Sequence, residues 1–121
     1  MAVDKVLQYD NRDAGADLTG KLRYAAKLDT SGDLVLAGAG EDVYGIIYEE
    51  ATSGNGCTVA VAGIVKAIAG ASINEGVPLA ADANGKLITA TTGDSVFGYA
   101  RVAAASGDIF EVLVDRGQNA A

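Results

Sequence analysis

The stretch GDSVFGYARVAAASGDIFEVLV (residues 93–114) decides the fold, because residues 40–61, GEDVYGIIYEEATSGNGCTVAV, carry the same pattern 53 positions earlier. Aligning residues 25–61 with residues 78–114 without gaps gives 12 identities in 37 positions. This exceeds what an Ala-, Gly- and Val-rich composition produces by chance, so the sequence predicts an internal two-fold repeat. The identical pairs are Asp29/Asp82, Gly32/Gly85, Leu34/Leu87, Ala37/Ala90, Gly40/Gly93, Val43/Val96, Gly45/Gly98, Ala51/Ala104, Ser53/Ser106, Gly54/Gly107, Val59/Val112 and Val61/Val114.

Each copy opens with a hairpin signal, DTSGD (29–33) in the first and DANGK (82–86) in the second. Asp begins such a turn by accepting backbone N–H bonds, and Gly supplies the left-handed residue that reverses the chain. Short alternating apolar runs flank the turns, and the only helical candidate, residues 71–75, is too short. The sequence therefore predicts an all-β barrel or sandwich.

Glycine recurs inside a strand pattern directly after an aromatic residue, at Gly45 and at Gly98. Glycine weakens a strand interior, so its presence in both copies indicates a bulge or a close backbone approach. A phosphate-binding loop would need a helix to follow, and no helical period follows either glycine. Both positions are predicted to be structural.

The predicted organisation is an N-terminal arm, residues 1–20, followed by one β domain, residues 21–121, built from the halves 25–61 and 78–114. The few apolar residues near the N-terminus are too sparse to hold that segment on the domain against the entropy of ordering it. The arm is therefore expected to be flexible.

Composition excludes several classes of function. The chain has 121 residues with 9 basic against 16 acidic side chains, a net charge of −7, which repels nucleic acid and anionic membranes. It has no apolar run long enough to span a membrane and no signal-peptide pattern, so we expect a soluble protein. Its core, rich in Ala and poor in aromatics, is thin, which favours stabilisation by assembly.

Groups that support catalysis are scarce. There is no His, which removes the usual triads, and the single Cys57 lies in a strand pattern where a small buried hydrophobe is expected. The Asp-x-Ser/Asn-Gly turns resemble the start of a calcium loop, but no Glu closes a 12-residue span after either. We therefore predict no enzyme activity, no catalytic residues, no metal and no cofactor.

The second half resembles the small capsid decoration proteins of tailed bacteriophages, including relatives of head-fibre bases. The motifs that carry the resemblance are GASINEGVPL (70–79), the D-x-x-G-K-L hairpin (82–87), GDSVFGYA (93–100) and AAASGD (103–108). The resemblance implies a compact, often trimeric β-barrel or sandwich that binds the outside of a capsid and stiffens it. It implies the major capsid protein as partner, a homotrimer, and a place on the outer capsid surface of the virion after synthesis in the host cytoplasm.

Alternative interpretations belong to other classes. One is a β interaction module of another assembly, or a barrel-type carrier-like domain, whose rhythm is similar to GIVKAIAGASINEGVPL (63–79). That alternative lacks the modified lysine in its expected hairpin, because Lys86 directly follows Asn84-Gly85 outside that context. Another is an enzyme that uses Asp and Glu, which a bound metal or a deep pocket would reveal.

The predicted capsid-binding residues lie in the arm: Val3, Lys5, Val6, Leu7 and Tyr9. We expect them to order against the shell protein, by side-chain contact or by adding a strand to it, because strand addition needs little side-chain surface.

Overall fold

The structure is a computed structural model that describes residues 5–116, and these residues form an antiparallel sheet of nine strands without a helix. The predicted all-β class is confirmed. The strands follow the order β3-β2-β4-β5-β9-β8-β6-β7 across the sheet, and β1 pairs with β5. Their bounds are β1 Lys5–Asp13, β2 Ala25–Leu28, β3 Leu34–Leu36, β4 Gly45–Glu49, β5 Gly56–Ile68, β6 Pro78–Ala81, β7 Leu87–Thr89, β8 Gly98–Ala100 and β9 Ile109–Val114.

The strand pairings of residues 9–61, which we call the first half, recur in residues 64–114, the second half. Ala26 pairs with Leu36 in the first half, and Leu79 pairs with Thr89 in the second, a shift of 53 residues for both partners. The same shift relates the pairing of β2 with β4 to that of β6 with β8. A common origin of the halves by duplication stays a prediction, whereas the equivalence of their hydrogen-bonded registers is a property of the fold.

The expected free arm differs from the structure, because residues 5–13 form strand β1 along β5. Asn11 pairs with Thr58 in the same way that Lys66 pairs with Glu111, so β1 holds the place in the first half that the end of β5 holds in the second, with a shift of 55. The chain following β1 enters the core, where Ala14 and Leu18 are buried. Backbone bonds to β5 supply the attachment that sparse apolar side chains could not. Residues 1–4 lie outside the described range.

Strand β5 joins the two halves as one continuous run of 13 residues. Gly63 interrupts the apolar run of this segment, and the structure keeps the residues on both sides of it in a single strand. Gly63 has a φ of 96°, and a Cβ atom there would lie 2.5 Å from the Lys5 carbonyl oxygen. Glycine is required at this position both by the left-handed backbone and by the crossing of β1.

The core consists of two apolar clusters. The smaller cluster fills the first half, and every one of its buried residues has an equivalent in the larger cluster. The larger cluster also contains residues of the first half that the second half covers, Ala25, Ile46 and Ala60 among them. The smaller cluster comprises Ala14, Leu18, Ala26, Leu34, Ile47, Cys57 and Val59, and the equivalent residues are Ala69, Ile73, Leu79, Leu87, Ala100, Phe110 and Val112.

The repeated strand glycines are sites of close backbone approach, as their pattern predicted. A Cβ on Gly45 would lie 2.8 Å from the Ala60 carbonyl oxygen, and one on Gly98 would overlap the equivalent carbonyl oxygen of Leu113. Neither glycine has a positive φ, so contact between strands, not backbone conformation, selects glycine here.

We predict that Gly98→Ala lowers the free energy of unfolding by about 3 kcal/mol, because the backbone of β9 must move to admit the methyl group. Gly54→Ala is the matched control: Gly54 has a φ of 86° and open space around it, so the added methyl costs only left-handed strain, about 1 kcal/mol. Denaturant unfolding of both variants measures the difference. Equal losses would show that the close approach at Gly98 is unimportant.

Candidate interaction surface

The predicted binding residues within the described range all lie on β1, but they do not share one environment. Lys5, Leu7 and Tyr9 are exposed, and Leu7 is 82% exposed. Val6 points inward and packs against the larger cluster. Val3 lies outside the described residues. The structure therefore exposes three of the predicted residues and partly buries a fourth.

Leu7 protrudes because the pairing of β1 with β5 shifts around it. Val6 pairs with Gly63 and Gln8 with Ala62, so Leu7 lies in an irregularity of the ladder. An extra residue at a bulge is unpaired, and its side chain is turned away from the regular face of the strand. The result is a large apolar side chain presented to solvent.

Tyr9 is held in place by an aromatic cluster. Its ring meets that of Tyr48 edge to face, with the centroids 5.6 Å apart, and the Arg23 guanidinium lies 3.9 Å from the Tyr48 centroid. The Tyr48 hydroxyl accepts the backbone N–H of Lys66 at 2.8 Å. Edge-to-face ring contacts and cation–π contacts are both favourable. The Tyr48 ring, held by Arg23, therefore fixes the position of the half-exposed Tyr9 ring.

A polar network fixes the middle of β1 to the first half. The Tyr44 hydroxyl donates to Asp10, Arg12 Nε donates to the same carboxylate at 2.9 Å, and Arg12 also donates to the Gly32 carbonyl at 3.2 Å. The Tyr44 hydroxyl, followed by the Arg12 guanidinium, lowers the pKa of Asp10 below its ordinary value. In the second half Val65 occupies the place of Asp10, so β1 replaces apolar packing with hydrogen bonds.

A second exposed apolar surface lies on β5, β8 and β9. Ile109 and Leu113 are about half exposed, and Leu113 pairs with Ile64 on one side and with Tyr99 on the other. This surface was not among the binding residues predicted from the sequence. The alternation of Ile109, Glu111 and Leu113 was visible, but alternation does not tell which face of a strand another element covers.

This face also carries an ion pair between Glu111 and Arg101. Glu111 is almost completely buried there and pairs with Arg101, whose Nη1 lies 2.5 Å from a Glu111 carboxylate oxygen. Removing one partner of such a pair leaves a desolvated charge, so we expect the pair to be structural.

The acidic side chains of the two calcium-like turns have structural roles. Within residues 5–116 no group of three or more His, Cys, Asp or Glu could hold a metal. The Asp29 carboxylate accepts the backbone N–H groups of Ser31 and Asp33, and Asp82 does the same for Asn84 and Lys86. In both calcium-like turns the first Asp carboxylate is therefore occupied by backbone N–H groups of its own turn.

Cys57 and Lys86 also have structural environments that do not favour reactive chemistry. Cys57 is buried, its Sγ donates to the Glu49 carbonyl at 3.2 Å, and burial, with the Glu49 carboxylate adding, raises the pKa of the thiol. Lys86 is half-buried, with its Nζ 5.8 Å from the Tyr24 ring centroid, so it does not project from a hairpin tip as a carrier lysine would. In the part of the chain that the structure covers, no helix is long and apolar enough to cross a membrane.

Residues 14–116 match the family model described as phage cement protein. The chain belongs to the phage cement protein family. It is a capsid-binding structural protein of the decoration type, as its sequence motifs implied. No curated protein sequence matches the chain.

The fold is similar to a solved structure described as head fibre gp8.5 N base in bacteriophage phi29. The TM-score is 0.71 at 17% sequence identity, over 94% of this cement protein and 98% of that chain. At this identity the likeness establishes the fold alone. Because nearly all of both chains is covered, β1 and both halves belong to the shared architecture.

We predict that Tyr44→Phe raises the pKa of Asp10 toward its ordinary value, since the hydroxyl is the main group that lowers it. Because the folded pKa is depressed, the Asp10 contribution to stability is present above the unfolded pKa and is lost as pH falls through the folded pKa. Tyr44→Phe should therefore flatten the acid limb of the stability curve. Carboxyl NMR titration measures the pKa directly, with Asp17, lowered by Thr19, as the control that must not move. An unchanged Asp10 pKa would contradict the assignment.

Proposed function

We propose that this cement protein binds the outer surface of a phage capsid, contacts the major capsid protein and stabilises the shell, and that it has no catalytic role. The observation that carries the proposal is the exposure of Leu7 and Tyr9 on strand β1. The matched structure is described as the base of a phage head fibre, which supports a position on the outside of a head. Synthesis in the host cytoplasm, followed by attachment to the virion, is part of the proposal.

The capsid-facing surface that we propose consists of Lys5, Leu7 and Tyr9, with Val3 continuing it beyond the described residues. Leu7 offers the largest gain, because burying a leucine side chain is worth about 1.5–3 kcal/mol. Lys5 adds a positive charge on a chain whose net charge is −7, so the end of β1 differs in sign from the molecule as a whole. Val6 does not belong to the contact, because it packs inward.

The backbone of β1 can contribute as well. Within residues 5–116, β1 pairs with β5 alone, so its second edge carries backbone N–H and C=O groups that a shell-protein strand could use. Strand addition gives affinity through main-chain bonds and specificity through alternate side chains. The exposed apolar positions would then act as the specificity contacts.

Assembly into a homotrimer is the third part of the proposal. The thin, alanine-rich core supports it, since burying more surface between copies stabilises the folded state. Several linked copies also turn a weak single contact with the shell into a durable one. Threefold and quasi-threefold positions of a capsid fit such a ligand.

We predict that Leu7→Asp weakens binding to undecorated capsids at least tenfold per contact, because it removes about 1.5–3 kcal/mol of burial and adds a desolvated charge. The fold should tolerate it, since Leu7 is unpaired and exposed. A point substitution is preferable to deletion of the N-terminal segment, because the deletion would remove strand β1 from the sheet and Ala14 from the core. Cosedimentation with capsids over a concentration series measures the loss.

Val102→Asp is the matched control, an exposed apolar residue in the bend after β8 rather than on β1, and it should bind like the unchanged protein. Circular dichroism establishes that both variants are folded. If folded Leu7→Asp binds as well as Val102→Asp, the capsid-facing surface is not on β1.

A further inference from the structure

Two rows of four cross-strand neighbours run across the sheet at equivalent places in the two halves. In the first half the row is Tyr9, Ala60, Ile46 and Ala25, each paired with the next. In the second half it is Ile64, Leu113, Tyr99 and Pro78. Each residue of the second row is the equivalent of one in the first, with a shift of 55 at β1 and 53 elsewhere.

The two rows differ in burial. Ala60, Ile46 and Ala25 have no exposed surface, because the second half covers them, whereas Tyr9 at the end of the row is 51% exposed. Leu113 is 45% exposed, and Ile64, Tyr99 and Pro78 are half-buried. At these three positions the same face of the same structural unit is therefore closed in one half and open in the other. We call the row of Ile64, Leu113, Tyr99 and Pro78 the open row.

The surface that closes the first row is defined by backbone hydrogen bonds between the halves. Ala25 N–H donates to the Gly85 carbonyl at 2.6 Å, and Gly40 N–H donates to the Ala81 carbonyl at 3.0 Å. Gly85 belongs to the turn between β6 and β7, and Ala81 is the last residue of β6. The second half thus closes the first with one hairpin turn and the strand that leads into it.

The first half has an equivalent surface that the chain itself leaves partly open. It consists of the turn between β2 and β3, residues 29–33, with half-buried Leu28 and Tyr44 in the places of buried Ala81 and Phe97. Ser31 at the tip of this turn is exposed. Each chain therefore carries an uncovered face at one end and an incompletely used covering surface at the other.

We propose that the open row is covered by the 29–33 turn of a second copy of this chain, which takes the place that the β6–β7 turn takes within one chain. The inference deepens the self-association part of the proposed function by naming its two surfaces. The in-chain interface between the halves is the template, and the new contact continues the same stacking from the second half of one copy to the first half of the next.

The two surfaces match at the position where the in-chain contact has its shortest hydrogen bond. Pro78 occupies the place of Ala25 and has no N–H to donate. Gly32, in the place of Gly85, already accepts a hydrogen bond from Arg12 through its carbonyl oxygen. The open row thus has no N–H group to satisfy at Pro78, and the Gly32 carbonyl of the turn already has a partner. Burying Pro78 against Gly32 therefore leaves neither backbone group unpaired.

Charge complements shape at the same contact. Lys66 lies at the open face next to Glu111, whose carboxylate is already paired with the Arg101 guanidinium, so Lys66 adds a positive charge there. Asp29 and Asp33 flank the turn that would meet it. Opposite signs on the two surfaces favour the head-to-tail arrangement over contact between two open rows, which would place like charges together.

A contact between two different surfaces of one chain is head-to-tail, and repeating it produces either a closed ring or an open filament. Three copies in a ring would supply six halves, in which in-chain and between-chain contacts alternate. The proposed homotrimer is the closed form of this contact.

The experiment measures the mass of the purified protein by sedimentation equilibrium without capsids, so that its outcome is independent of capsid binding. We expect the unchanged protein to form the closed oligomer, and Leu113→Asp and Ser31→Trp each to reduce the mass to the 12.2 kDa of one chain. Leu22→Glu is the matched control: Leu22 is 44% exposed, and the second half carries Glu75 at its equivalent position, so it should keep the oligomer. Leu7→Asp should also keep it.

Circular dichroism and thermal unfolding establish that each variant is folded, and Leu113→Ser, which replaces the apolar side chain with a small uncharged one, is used in place of Leu113→Asp if the charge prevents folding. A single-chain mass for the unchanged protein, or an unaltered oligomer in Leu113→Asp, would overturn the proposal. Loss of the oligomer in Leu113→Asp but not in Ser31→Trp would overturn the head-to-tail form in favour of contact between two open rows. Loss of capsid binding in Leu7→Asp with an intact oligomer would leave this inference standing.

Discussion

The structure depends on one shared strand. β5 completes the sheet of the first half with residues 56–61 and begins that of the second with residues 64–68, and Gly63 provides the left-handed bend between them. Because both halves hydrogen-bond to this one strand, separating β5 from its neighbours disrupts the sheets of both halves. The molecule is therefore one cooperative unit in spite of its two matching parts, and opening of β5 would expose both apolar clusters at once.

Arg116 strengthens this dependence from the far end of the described chain. Its guanidinium donates to the carbonyl oxygens of Val43, Tyr44 and Val61 at 2.7–2.9 Å and lies 5.0 Å from the Phe97 ring centroid. One side chain thus satisfies three carbonyl groups of the first half while stacking on an aromatic ring of the second. Arginine suits this position because its planar fork donates several bonds at once and stacks on a ring.

Much of the architecture could be predicted from turn chemistry. The two Asp-to-Gly hairpins and the paired strand glycines indicated the strands from 25 to 114, because turns and close approaches constrain residue identity strongly. Strand β1 could not be predicted, since Asp10 and Arg12 stand where the second half has Val65 and Ala67. The exposure of Leu7 depends on a register shift that no local pattern encodes, and the openness of Leu113 depends on what covers a face. Sequence periodicity thus indicated the strands, whereas their exposure required the assembled sheet.

The offset in residue number between equivalent positions of the two halves is 55 as far as Leu18 and 53 from Arg23 onward. This difference indicates where the chain tolerates variation in length. The two additional residues of the first half fall between Leu18 and Arg23, where four residues connect positions that two residues, 74 and 75, connect between Ile73 and Gly76. Thr19 and Gly20 in this loop are exposed, and a Cβ atom on Gly20 would meet no atom within 4 Å. Loop length costs little free energy when the ends are fixed by strands. This loop is therefore a natural insertion point, at which a peptide carried on the particle would leave the hydrogen-bond registers of both halves in place.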